Sequence, residues 1–173
     1  MIKVFENFLP EDEFKTFQDF VAGDIFPWFW NPSITYQSQM DLGQFTHTFF
    51  CQNRGSTSDG YPALEPLLTK LMGKGPDDNL YGVLYRAKAN LNPRQSTNVQ
   101  LGDYHADFPV PCETAIYYVN TNNGYTKFED VNDVIYSQEN TLVVFPSQIK
   151  HVGHACTDAA NRIVLNLNYI TFP

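Results

Sequence analysis

Two residues in the segment LGDYHADF, His105 and Asp107, are separated by a single residue, and both can bind a metal. On a strand, residues two apart point to the same face, so an imidazole and a carboxylate at this spacing converge on one point. Two histidines and one carboxylate form the facial set that holds Fe(II) and leaves other positions open for substrates. The set needs a second histidine. The chain has four: His47, His105, His151 and His154. Two of them lie in FPSQIKHVGHACTDAANRIVLNLNY, which reads as a strand end, a loop and an apolar strand. Arg162 opens that last strand among Ile163, Val164 and Leu165. A guanidinium there needs an anion, and a carboxylate held bidentately is its natural partner. The bland alternatives are a local salt bridge to Asp158 or Glu139 for Arg162, and an ordinary surface pair for His105 and Asp107.

The elements that must position these residues fall into two textures. Residues 10–22, PEDEFKTFQDFVA, predict a helix with acids at its positive end, an apolar stripe of Phe14, Phe17 and Val21, and Gly23 as its stop. Residues 62–73 predict a second helix, with Pro66 able to shift its start to 65 or 66. Between the helices, residues 27–36 read as a loop or short strand on the core, with Trp28 and Trp30 as core residues. His47 sits on an alternating strand in a structural or substrate-side role. Residues 52–61, QNRGSTSDGY with Arg54, read as a lid loop. From residue 79 on, short runs rich in β-branched and aromatic residues predict strands at 79–91, 101–107, 112–120, 125–129, 133–136, 141–146 and 162–171. The expected architecture is mainly β with flanking α-helices, one domain spanning residues 1–173.

Composition narrows the classes. Hydrophobic residues make up 43% of 173, which fits a folded domain. No apolar run approaches the roughly 20 residues that span a bilayer. No secretory signal is evident at the N-terminus. Cys51, Cys112 and Cys156 are odd in number and widely spaced, so they suggest neither a disulfide framework nor a zinc site. The expected location is a reducing cytoplasm. A net charge of −8 disfavours nucleic acid as substrate.

Four segments taken together resemble the 2-oxoglutarate- and Fe(II)-dependent oxygenases, in their prolyl-4-hydroxylase-like branch: YHADF (104–108), TAIYYVN (114–120), FPSQIKHVG (145–153) and NRIVLNLNY (161–169). In texture the chain is similar to the small oxygenases of phage and marine bacterial genomes. The opening VFENFLPEDEF also looks like the start of such domains. The resemblance implies a double-stranded β-helix (jelly-roll, cupin-like) core. It implies His105, Asp107 and His151 as iron ligands, with His154 as a competitor for the third place. It implies Arg162 and Tyr118 on the distal carboxylate of 2-oxoglutarate, and Asn90 as a weaker cosubstrate contact. Arg86 and Lys88 share a face with Asn90 and are candidates for the substrate side. The implied cofactors are Fe(II), 2-oxoglutarate and O2, with ascorbate as a reductant. The implied activity is hydroxylation of a peptidyl, prolyl-like or small-molecule substrate. Two other readings are a non-catalytic cupin-like metal- or ligand-binding barrel and a metal-free jelly-roll structural protein. Oligomeric state is not readable from the chain.

Overall fold

The computed structural model describes residues 1–34, 42–75, 77–108, 110–132 and 134–172. Positions 35 and 36 of the expected 27–36 segment, and 133 of the expected 133–136 strand, lie outside these.

The first helix, α1, runs Glu11–Ala22. Pro10 caps it from an extended conformation rather than entering its first turn, and Glu11, Asp12 and Glu13 face the helix dipole favourably. Phe14, Phe17 and Val21 are buried as the stripe requires. Gly23 ends the helix in an extended conformation, where a Cβ would come within 2.8 Å of the Asp19 carbonyl oxygen. The expected second helix is split. A 3₁₀ turn covers Tyr61–Leu64, and α2 covers Glu65–Met72. Pro66 sits in the first turn of α2, where its missing N–H would have had no partner.

The strands are β1 (Lys3–Phe5), β2 (Phe29–Asn31), β3 (Gln44–Cys51), β4 (Gly55–Ser56), β5 (Gly82–Pro93), β6 (Gln100–His105), β7 (Glu113–Tyr118), β8 (Asn122–Phe128), β9 (Val134–Ser137), β10 (Thr141–Pro146), β11 (His151–His154) and β12 (Asn161–Thr171). They form two antiparallel sheets. The larger has the order β1-β10-β7-β12-β5-β3-β2, with β4 paired to β3, and the smaller has the order β6-β11-β8-β9. From β5 to β12 the chain passes repeatedly between the sheets, which is the winding of a double-stranded β-helix.

The two faces of the large sheet bury different residues. Ala87, Ala89, Ala115, Tyr117, Leu165 and Leu167 join Phe14, Phe17, Leu64 and Leu67 in one cluster, so both helices cover this face. Ile116, Tyr118 and Val164 join Phe128, Val143 and Phe145 in a second cluster between the sheets. On β5 the alternate positions Arg86, Lys88, Asn90 and Asn92 line an internal cavity, as Arg162, Val164 and Asn166 do on β12. Strand periodicity thus assigns a greasy set to the helices and a polar set to the interior of the barrel.

Two expectations fail around β2 and β4. Trp28 packs partly buried on the core, but Trp30 is 55% exposed. Residues 52–61 are not a free lid. β4 closes a hairpin on β3, the Thr57 amide donates to the Phe49 carbonyl, and the Thr57 hydroxyl donates to the Thr48 carbonyl.

Candidate metal centre and anion pocket

β11 pairs with β6 so that His151 lies directly opposite His105. β6 ends at His105, so Asp107 stands past the strand end and not on it. The convergence expected from a continuous strand nevertheless occurs. One ligand atom from each of His105, Asp107 and His151 falls within 4.8 Å of the others. Asp107 Oδ1 is 3.7 Å from His105 Nε2, and Oδ2 is 3.8 Å from His151 Nε2.

Each imidazole is oriented by its other nitrogen. His105 Nδ1 donates to the Asp103 carbonyl at 2.8 Å, and His151 Nδ1 to the Ile149 carbonyl at 3.3 Å. The Nε2 lone pairs are then free to bind a metal. Burial holds the His151 pKa below its ordinary value and keeps the ring neutral, as a ligand must be. Burial alone would raise the Asp107 carboxyl, but the neighbouring His151 and His105 rings and the Arg86 guanidinium outweigh it and hold it low. Its Oδ2 is buried with no hydrogen-bond partner. An orphaned carboxylate oxygen facing two oriented imidazoles is a donor set that fits a divalent metal of the Fe(II) type.

A chain of polar side chains crosses the large sheet behind Asp107. Asn168 Nδ2 donates to Thr114 Oγ1, Arg86 Nε donates to Asn168 Oδ1, and Arg86 Nη2 reaches Asp107 Oδ1 at 3.3 Å. The contact from Arg86 to Asp107 was not evident from spacing, because Arg86 is on β5 of the large sheet and Asp107 lies just past β6 of the smaller one.

The cluster opens on a cavity of about 110 Å³ whose wall includes Arg86, Lys88, Asn90, Asn92, Asn166 and Arg162. Arg162 is 3% exposed and has no ion pair among the described residues. The acids proposed as local partners are engaged elsewhere: Asp158 accepts from the Asn123 amide, and Glu139 pairs with Lys15. Instead Arg162 donates through Nε to Ser137 Oγ at 2.8 Å and through Nη2 to Thr126 Oγ1 at 3.0 Å. Gly124 makes this possible, since a Cβ there would lie 2.7 Å from Arg162 Cδ.

Tyr118 is fully buried beside Arg162. Its hydroxyl donates to Thr126 Oγ1 at 2.8 Å, and the cavity wall carries Thr126 in its place. Thr126 Oγ1 accepts from both Tyr118 and Arg162, which leaves its own proton for a ligand in the cavity. Tyr118 thus stands behind Thr126, with its ring 5.5 Å from the guanidinium. Asn90 does line the cavity, with a buried and unpartnered Oδ1. Thr126, Ser137, Asn92 and Asn166 were missed in the sequence. Only the two-residue period of Arg162, Val164 and Asn166 could have pointed to the last of these.

His154 and His47 stand apart. His154 Nδ1 contacts the Asn98 carbonyl at 3.0 Å, and its ring stacks on Tyr125 at 4.2 Å. His47 is held at both nitrogens, by the Pro27 carbonyl and by Ser58 Oγ.

No protein-family model matches the chain, and no curated protein matches its sequence. Solved structures do match its fold. A 2OG-Fe(II) oxygenase family oxidoreductase from Burkholderia pseudomallei superposes with a TM-score of 0.73 at 10% identity, covering 98% of this chain and 84% of that one. A Pseudomonas putida prolyl-4-hydroxylase gives 0.61 at 16% identity, covering 98% and 92%. The viral collagen prolyl hydroxylase of Paramecium Bursaria Chlorella virus-1, in its 2-oxoglutarate complex, gives 0.60 at 9% identity, covering 99% and 96%. With eight strands wound between two sheets and a His-Asp-His cluster at the mouth of the barrel, this chain has the fold shared by 2-oxoglutarate- and Fe(II)-dependent oxygenases, prolyl hydroxylases among them.

Proposed function

We propose that the protein is a 2-oxoglutarate- and Fe(II)-dependent dioxygenase acting as a hydroxylase on a peptidyl, prolyl-like or small-molecule substrate, with residues 1–173 as its catalytic domain. One observation carries the reading: a buried guanidinium with no carboxylate partner shares a cavity with an oriented His-Asp-His cluster. A barrel that only bound metal would need the cluster but would gain nothing from a desolvated, unpaired arginine. The non-catalytic alternative is therefore not favoured.

His105, Asp107 and His151 would hold Fe(II). Arg162, Thr126 and Ser137 would hold the far carboxylate of 2-oxoglutarate, with Tyr118 fixing the Thr126 hydroxyl. Asn90 offers an acceptor along the same wall. The bound iron supplies activation of O2, coupled to oxidation of 2-oxoglutarate to succinate and CO2, with the second oxygen atom passing to the substrate as a hydroxyl. The protein's part is to orient the ligands, neutralise the diacid and keep bulk water from the buried end of the cavity. Ascorbate would serve as an external reductant. The three unpaired cysteines suit a reducing compartment such as the cytoplasm. Among the described residues, no helix is long and apolar enough to cross a membrane.

The test is succinate release from 2-oxoglutarate under air. Turnover that requires Fe(II) and is lost in Asp107→Ala supports the proposal. Metal binding without 2-oxoglutarate binding would return the protein to the class of non-catalytic barrels.

A further inference from the structure

The cavity holds more positive charge than its proposed cargo can neutralise. Among the described residues, its wall carries Arg86, Lys88 and Arg162 against a single acid, Asp107. Arg86 is committed to Asp107. A divalent metal and a 2-oxoglutarate dianion cancel each other. The loaded site would still enclose the charges of Arg162 and Lys88, and desolvated charges are costly unless a ligand compensates them.

Lys88 is the unexplained member. It is half-buried on β5, and its Nζ has no hydrogen-bond or ion-pair partner among the described residues. It is not in the Arg162 group. Arg162 is paired across the sheet with Asn92, whereas Lys88 is paired with Asn166. Four residues along a strand separate the two rows, roughly 13 Å at about 3.3 Å per residue. Its neighbours on the wall are Arg86, already paired with Asp107, and the amides of Asn90 and Asn166, whose Oδ1 atoms are buried without partners. Burial, and then the neighbouring charge of Arg86, holds the Lys88 ammonium down at about 8, so it is still mostly charged at neutral pH.

We propose that Lys88 binds a carboxylate of the substrate, so that the molecule oxidised here is an anion. An ammonium with amide Nδ2 groups beside it to donate further hydrogen bonds suits one carboxylate. This rests on the oxygenase reading and narrows it. A neutral prolyl segment would leave the half-buried Lys88 unpaired, whereas an amino acid or peptide with a free carboxylate near the oxidised carbon would not.

The experiment uses anaerobic protein loaded with Mn(II), which occupies the metal site without turnover. 2-Oxoglutarate binding is measured first by calorimetry, and acetate and N-acetylglycine are then titrated into the loaded complex. Both probes should bind the wild type. In Lys88→Met their affinity should fall by about tenfold or more, as expected for loss of a charge-assisted hydrogen bond. The affinity for 2-oxoglutarate itself should move by less than about twofold, which also shows that the variant is folded. Lys88→Arg should restore much of the probe binding.

Three results would overturn the proposal. A large loss of 2-oxoglutarate affinity in Lys88→Met would assign the lysine to the cosubstrate. Probe binding retained in that variant would place the carboxylate on the metal. No probe binding to the loaded wild type would remove the site. Failure of the wild type to bind 2-oxoglutarate at all is a separate result, and it would overturn the oxygenase reading itself.

Discussion

At the scale of single residues, the site divides into a metal end and an anion end that can be disabled separately. Truncating His105, Asp107 or His151 to alanine removes a ligand, and metal affinity should fall by at least about 100-fold. His154→Ala should leave it unchanged, because the His154 ring is stacked on Tyr125 outside the cluster. Equilibrium dialysis against Co(II) separates these cases, and a His154 variant that loses metal would overturn the ligand assignment. At the other end, Arg162→Met removes charge-assisted hydrogen bonds worth about 1.5–3 kcal/mol each, so 2-oxoglutarate affinity should drop by about 10- to 150-fold. Metal affinity should persist, and unchanged 2-oxoglutarate affinity would dismiss Arg162 as the carboxylate anchor. Tyr118→Phe should cost much less than Arg162→Met, because Tyr118 stands behind Thr126 and Arg162 and does not line the cavity itself. Motif spacing could single out His105, Asp107 and Arg162, because each departs from its surroundings in charge or type. It could not distinguish Tyr118 from Thr126, because which hydroxyl faces a ligand depends on how β7 and β8 sit across the barrel.

At the scale of the elements, glycine on β8 decides whether Arg162 fits. A Cβ at position 124 would lie 2.7 Å from Arg162 Cδ, 2.8 Å from Asn122 Oδ1 and 2.9 Å from the His154 carbonyl oxygen. The last of these is backbone and cannot swing away. At position 153 a Cβ would meet Arg162 Nη1 at 3.4 Å, a contact that a small shift relieves. Gly124→Ala should therefore weaken 2-oxoglutarate binding much more than Gly153→Ala, and calorimetry on the two variants compares them directly. Equal effects would mean that β8 does not set the guanidinium's position. β11 was missed in the sequence for a related reason. HVGH is four residues long with a glycine and a register shift inside it, so neither length nor alternation marks it as a strand. β5 and β12 were legible because apolar and β-branched residues recur through strands as long as 12 and 11 residues.

At the scale of the whole molecule, the overall β architecture with two outer helices could be read from texture alone, because turn residues punctuate the second half of the chain at strand spacing. The hairpin role of residues 52–61 could not. Gly and Ser mark a turn equally well whether it swings free or is pinned to β3. Gathering polar groups inside a barrel also has a consequence for global stability that no single contact shows. His151 and His154 both have pKa values lowered by burial, so the folded protein resists protonating them while the unfolded chain takes up protons near pH 6.5. The unfolded state then binds more protons, and stability must fall as pH drops below that value. The depressed Asp107 carboxyl acts in the same direction at lower pH, where its stabilisation is lost on protonation. The metal-free protein should show a urea midpoint that declines from pH 7.5 to pH 5, with the slope starting near the histidine range. His154→Gln should flatten the decline in part while leaving the cluster intact. Saturating Mn(II) should raise the midpoint most at neutral pH and progressively less in acid, because protons compete with the metal for the same nitrogens. A midpoint independent of pH over this range would show that neither histidine is buried in its neutral form.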